Sequence, residues 1–522
     1  MVVTPDSKIR LLKCPLKLDN NNQITWASVN AQTAYFQSLP YIEDTGLTYI
    51  RKDGVIRVDT SGTTDYEDLL SYNYVMYQNT HYDTKWFYAY ITDIKYLNDG
   101  CTEISIETDV FQTWFFEGDW KASFIEREHV NNDTIGNNTV PENIELGEYI
   151  VNSFVKNTDL DTTNYIILST TDGDGNTAVW STGIGDIPFK GYVYILPDVA
   201  NLKGYLQYFQ QHNHIQNVYA VYSIPSFCVA NATYDTTDVR QALDVPANEK
   251  EISISKPSTI DGYTPKNNKL FTFPYRYLLV SNNNGQSNIL KYERFGKASE
   301  CEFDLVGLAT VGGEIKLIPI YYDKLAYNEQ ESLVAGKWPT LSWSQDLYTN
   351  WVSQNAVNIG MGVGTSVLSI VGGVASMATG AGAVAGAGLI GAGIAGIGGS
   401  LAQHYQHQFD PVSFKGNVNA GSINVDNARN GFFFYNMSIK QEYAKIIDEY
   451  FNAYGYKVNR YGIPHLHVRT YWDYCKTINC NFTGNIPNND LKKFRELFDN
   501  GCTFWHDTTK FLDYSQNNTI IT

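Results

Sequence analysis

Polar and apolar residues alternate along residues 101–108. There Ile104 and Ile106 fall between Glu103, Ser105 and Glu107, which predicts a strand with one buried and one wetted face. A second apolar run at 86–94 lies across Asn98-Asp99-Gly100, so the two form a predicted hairpin. Runs at 47–50 and 55–58 flank Asp53-Gly54, the dipeptide of two-residue hairpin turns, and predict another. Further strands are predicted at 251–255, 270–281, 288–294, 314–322 and 432–440. The period changes to that of a helix after Asp198, a residue suited to N-capping, where Val199, Leu202, Tyr205, Leu206 and Phe209 share a face. Two more amphipathic helices, 442–454 and 490–500, end at Gly455 and Gly501. Strands dominate and helices are few, which is the pattern of a β-rich α+β fold.

One stretch follows neither period. Between Asp346 and Asp410 there are 63 residues without Asp, Glu, Lys or Arg, and fourteen of the forty residues 360–399 are Gly. Gly holds the interior of a helix or strand poorly, so ordinary core packing does not account for the stretch. Its apolar halves, about 363–377 and 381–401, fall short of or barely reach the ~20 residues needed to cross a bilayer as a helix. Small residues recur at Gly382 and Gly386, then at Gly388, Ala392 and Gly396, a spacing that lets helices approach closely in lipid. The positions that would meet lipid are Gly360, Val363, Val367, Leu368, Ile370, Val371, Val374 and Met377 in the first half. In the second half they are Val384, Leu389, Ile390, Ile394, Ile397 and Leu401. The residues alone leave two readings open: a membrane-active device, or a hydrophobic loop tucked inside an oligomer.

Composition narrows the function classes. The 522 residues exceed a single hydrophobic core, so several domains are expected. Abundant Tyr (38) with only 18% charged residues suits sheets joined by Asn-, Asp- and Gly-rich turns. A net charge of −17 argues against gripping nucleic acid, although it does not exclude a surface past which nucleic acid slides without sticking. Residues 1–18, with Asp6, Lys8, Arg10, Lys13 and Lys17, offer no apolar run of signal-peptide length. Together with seven scattered cysteines, this predicts assembly in a reducing cytoplasm with the thiols unpaired.

Catalytic patterns are missing. Gly296-Lys297 and Gly336-Lys337 lack the rest of a phosphate-binding loop, and no nucleophile elbow or zinc-binding His-Glu-x-x-His occurs. The string 172–176 begins like a calcium loop, but Thr177 and Gly183 stand where Gly and Glu are required, so a polar turn is expected. His465/His467 and His212/His214 have no third ligand nearby, and Cys475, Cys480 and Cys502 read as buried thiols. No enzyme activity, cofactor or metal is expected.

Three groups of strings resemble the tail knob (distal tail tube) proteins of picovirus-type short-tailed phages of Gram-positive hosts. The first is Tyr74-Val75-Met76-Tyr77-Gln78-Asn79 with Lys85-Trp86-Phe87-Tyr88-Ala89-Tyr90. The second is Glu107-Thr108-Asp109-Val110-Phe111-Gln112-Thr113-Trp114, leading to Ser123-Phe124-Ile125-Glu126-Arg127-Glu128-His129-Val130. The third joins Tyr454-Gly455-Tyr456-Lys457-Val458-Asn459-Arg460 to Asn489-Asp490-Leu491 and to Phe498-Asp499-Asn500-Gly501-Cys502-Thr503-Phe504-Trp505-His506. Residues 152–323 match only loosely. Of these strings, Trp114 and Phe124 are expected to pack a sheet core, and Arg127 to pair with a carboxylate, rather than to touch DNA.

The resemblance implies tail-tube-like β-barrel or sandwich domains in a homo-hexameric ring, joined to other phage tail proteins in the virion. It implies that the hydrophobic loop plugs the tube exit and later enters the host cytoplasmic membrane, as a conduit for double-stranded DNA passing without specific binding. It divides the chain into a tube domain (1–150), a middle domain (151–345), the plug loop (346–410) and a C-terminal α+β segment (411–522). The alternative is a purely structural tube or adaptor protein. His404 and His407, at the trailing edge of the uncharged stretch, are the only titratable groups available there for an acid trigger.

Overall fold

A computed structural model describes residues 6–62, 65–81, 83–160, 163–176, 180–184, 187–229, 248–282, 286–307, 314–335, 340–342 and 431–521. The chain divides into two compact units. One is built from both ends of the chain (Met1–Leu146, Pro265–Leu270, Glu442–Thr522) and the other from its middle (Gly147–Thr264, Phe271–Gln441).

The first unit contains a six-stranded antiparallel sheet, ordered Tyr41–Leu47, Ser7–Leu12, Tyr74–Asn79, Phe87–Asn98, Cys101–Thr108, Val55–Asp59. Residues 48–54 run from one edge strand to the other, so the sheet rolls into a nearly closed barrel. The predicted hairpin at 98–100 forms, with Thr102, Ile104 and Ile106 buried and Glu103 and Ser105 on the wetter face. The hairpin predicted at Asp53-Gly54 does not: the flanking strands lie at opposite edges and pair with Ser7–Leu12 and Cys101–Thr108 instead. Asp53, at φ 49°, accepts a hydrogen bond from the Thr108 N–H at 2.8 Å, so the turn ties down a neighbouring strand. Strand Tyr74–Asn79 is buried along its whole length. Val75 and Tyr77 enter the barrel core with Ile9, Ile56 and Ile104, while Tyr74 and Met76 meet Phe36, Trp472 and Trp505 on the other side. A strand covered on both faces loses alternation and reads as a continuous apolar run.

A second sheet in this unit has the order Asn22–Ile24, Cys502–Trp505, Trp472–Ile478, Ser123–Glu128, Tyr456–Gly462. Helices Val110–Trp114 and Asn488–Asn500 contribute to its core, where the rings of Phe482 and Phe494 stack 4.1 Å apart and Phe111 lies 5.2 Å from Phe504. Each such buried side chain contributes about 1.5–3 kcal/mol. Helix Gln441–Tyr454 ends at Gly455 (φ 65°), where a side chain would collide with the Glu128 carbonyl.

Besides the two-stranded sheet of Trp180–Ile184 and Ile187–Lys190, the second unit contains three larger sheets. They are Tyr149–Lys156, Phe433–Ile439, Arg276–Ser281, Ser287–Leu290; then Tyr192–Leu196, Thr163–Ser169, Val218–Pro225, Thr340–Ser342; then Asn248–Ser255, Glu300–Gly307, Ile315–Tyr322, Leu325–Tyr327. One core joins them, with Ile166 and Tyr222, Leu278 and Phe434, and Phe303 and Leu317 coming from the three sheets. Asp198 caps helix Val199–Gln211 by accepting from the Asn201 N–H at 2.8 Å, and Leu202 and Phe209 bury the face expected of it. Two predicted strands are shorter than expected. The first half of 270–281 is irregular before Arg276, where Pro274 has no N–H for a ladder. The run 288–294 ends its strand at Leu290 and turns at Tyr292–Arg294.

The fold is thus β-rich with some helices. No helix among the described residues is long and apolar enough to cross a membrane.

Candidate functional site

The loop residues singled out above, from Gly360 to Leu401, lie outside the described residues, as do His404 and His407. The structure does describe the two places where the second unit holds the chain around them. On the entry side, strand Thr340–Ser342 stands, among the described residues, at the edge of its sheet, pairing Thr340 with Tyr222, Leu341 with Val221 and Ser342 with Ala220. On the exit side the chain re-enters as Phe433–Ile439, an interior strand paired with Tyr149–Lys156 on one side and Arg276–Ser281 on the other.

Three consecutive phenylalanines make the exit firm. Phe432 and Phe434 are fully buried, and the Phe434 ring lies 5.2 Å from Phe303. The Asn157 N–H donates to the Phe432 carbonyl at 2.9 Å. Farther along the strand, Asn436 is buried between Tyr292 Oη and Ser153 Oγ, and Ser438 Oγ accepts from Asn152 Nδ2 at 2.7 Å. The opposite face of this sheet is apolar and open: Phe154 stacks on Phe433 at 5.8 Å, and Val151, Phe154 and Ile289 are each 51% exposed. No local signal in the sequence marks these anchors, and the triplet Phe432-Phe433-Phe434 reads there only as part of the strand 432–440.

The strings that carry the family resemblance fall in the first unit and serve its architecture. Gln112 is a buried hub, accepting from Trp26 Nε1 at 2.8 Å and Gln32 Nε2 at 2.9 Å while donating to Gln23 Oε1 at 3.0 Å and the Ile24 carbonyl at 2.8 Å. Trp114 packs as expected, its Nε1 donating to Asp490 Oδ2 at 2.8 Å and Lys85 lying 3.7 Å over its ring. Arg127 pairs with the carboxylate of Glu142, which also takes Lys269 at 2.5 Å. Phe124 is a correction: it is 38% exposed, because on strand Ser123–Glu128 the inward positions are Ser123 and Ile125. Glu128 is buried, which opposes ionisation, but hydrogen bonds from His465 and Arg460 hold its carboxyl below the usual range. Burial pushes neighbouring His129 down to about 4, so this imidazole is neutral at neutral pH.

The remaining candidate ligands have structural partners. Asp172 closes a turn by accepting from the Asp174 and Asn176 N–H groups at 3.0 and 2.8 Å. His465 lies 3.4 Å from Glu128, His467 packs edge-on against His506 at 4.2 Å, and His212 stacks on Tyr208 at 4.1 Å. Cys475, Cys480 and Cys502 are free thiols in the aromatic core, where burial raises all three and pushes Cys480 up to about 12.

Residues 242–519 match the family of the Bacillus phage phi29 tail knob protein gp9, C-terminal domain. The chain belongs to this tail knob family. Its residues 5–119 also match the N-terminus of caudoviral major tail proteins. Tail knob protein gp9 of Bacillus phage B103 is 25% identical, with 97% of both chains covered. That of Bacillus phage phi29 is 26% identical over 87% of this chain and 88% of its own. The structure of the bacteriophage C1 tail knob protein gp12 superposes with a TM-score of 0.64 at 16% identity, covering 99% of this chain and 100% of that one. At that identity the likeness establishes the fold alone. The chain is a structural component of a phage tail.

Proposed function

We propose that this tail knob protein forms a homo-hexameric ring at the distal end of the tail tube, and that residues 346–410 first plug the tube exit. On infection the loop is released, enters the host cytoplasmic membrane and forms a conduit for the viral genome. The observation that carries this reading is the unequal hold on the two sides of a 63-residue uncharged stretch. Among the described residues an edge strand leads into it, and an interior strand paired on both sides follows it. Edge pairings open at lower free-energy cost than core strands, which open only with the whole unit, so one side can yield while the other keeps its grip.

Other features support parts of the reading. The open apolar face around Val151, Phe154 and Ile289 is of the kind that subunits cover in a ring. The net charge of −17 disfavours adhesion of DNA to the tube wall. The competing reading, a purely structural tube protein, shares every feature except the use of the loop at a membrane. Imaging the tail at subunit resolution, free and bound to membrane vesicles, separates them. The proposal expects residues 360–399 across the lumen in the free tail and in the bilayer after attachment. The same lumenal position in both states overturns it.

A further inference from the structure

In the first unit a cavity of about 210 Å³ opens beside Arg469, bordered by Lys266, Asn452, Asn517 and Asp133. It is smaller than the roughly 300–1,000 Å³ of sites that take drug-sized ligands, which points to an ion or a single small group. Its polar groups are unbalanced. Arg469 is only 6% exposed, yet it forms no ion pair with a described residue. Its Nη1 donates to the Asn518 carbonyl at 3.3 Å, while Nε is buried without a partner. Buried guanidinium groups are normally paired, so one without an ion pair lining a cavity calls for an acceptor.

The surroundings add donors. The Asn452 side-chain amide is nearly buried and makes no hydrogen bond to a described residue, and the ammonium of Lys266 is unpaired among them. Asp133 is the one carboxylate among the described residues of the wall, and its oxygens are occupied: Oδ1 accepts from Tyr456 Oη at 2.7 Å and Oδ2 from the Asn268 N–H at 2.9 Å. Burial also raises the Asp133 carboxyl above its usual range, which lessens its repulsion of an anion. Two cations and a free amide facing one occupied carboxyl make the cavity a receptor for negative charge, in a chain that carries −17 overall.

We propose that the Arg469 cavity binds a phosphate group. The fork of a guanidinium, an ammonium and an amide can each donate to a different oxygen of one tetrahedral anion, an arrangement that a single-atom anion or a planar carboxylate uses less fully. The group can come from free phosphate or from a phosphodiester of a polymer or lipid headgroup.

Equilibrium binding to the full chain tests this, with inorganic phosphate and glycerophosphoglycerol as separate probes and acetate as the control anion, at matched ionic strength. One saturable site for either phosphate probe is expected, and the tighter probe identifies the source. Arg469→Gln should weaken binding more than tenfold. Because that variant removes a buried side chain, Lys266→Gln, at the exposed rim, is the companion, with an expected loss of about two- to fivefold. Absence of saturable binding by both phosphate probes, equal binding of acetate, or a Lys266→Gln protein indistinguishable from wild type overturns the proposal.

Discussion

The backbone N–H of Asn157 donates to the carbonyl of Phe432 at 2.9 Å, fastening the chain at the first described strand after the uncharged stretch. The bond lies beside two fully buried rings, Phe432 and Phe434, so backbone and side chain act together at this point. From Phe432 onward, the chain that follows the loop is built into the core of the second unit.

That arrangement separates stability from assembly on one strand pair. Phe434→Ala removes a buried ring and should cost about 3–5 kcal/mol, seen as a lower denaturant midpoint. Phe154→Ser, on the open face of the same sheet, should shift the midpoint by less than about 1 kcal/mol while reducing the oligomer measured by sedimentation. Equal effects of the two on unfolding would contradict the assignment of the faces.

Gln112 offers a test of the first unit. Gln112→Leu keeps the approximate volume but leaves Trp26 Nε1, Gln23 Oε1 and the Ile24 carbonyl without the hydrogen bonds of that side chain, while Gln32 keeps its bond to the Gln112 carbonyl. Each abandoned buried group costs about 1–3 kcal/mol, so the barrel-bearing unit should unfold at markedly lower denaturant concentration. A near-neutral outcome would mean that the hub is dispensable.

Acid should weaken the same unit through His129. Its pKa is lowered from 6.5 to about 4 in the folded protein by burial, so the unfolded chain binds the extra proton first as pH falls. The contribution is absent above pH 6.5, grows as pH drops towards 4 and then levels off, reaching a few kcal/mol. Thermal unfolding scanned across this window should show a slope that His129→Gln reduces. An unchanged slope would assign the acid sensitivity to other groups.

Local signals along the chain reveal single elements well and their partners poorly. The alternation at 101–108 and the capped helix after Asp198 announce themselves because period and cap are properties of neighbouring residues. Asp53-Gly54 misleads because its chemistry suits a two-residue hairpin, while closure of the six-stranded sheet sends its flanking strands to opposite edges. The expectation for Phe124 fails for a related reason. A one-residue shift along a strand exchanges the buried and exposed faces, and no local feature marks Ile125 rather than Phe124 as the inward one. For the candidate site, the uncharged stretch is plain in the sequence. Its fastening by Phe432, Phe434 and Asn157 depends on pairing across hundreds of residues and is visible only in the fold.

The central claim is that residues 360–399 act on membranes, and dye release from liposomes tests it most directly. Full-length protein should cause leakage once its loop is free to leave the assembly, and a protein lacking residues 360–399, with its fold verified by circular dichroism, should cause none. Equal leakage from both proteins would contradict the account and leave the loop as a plug alone.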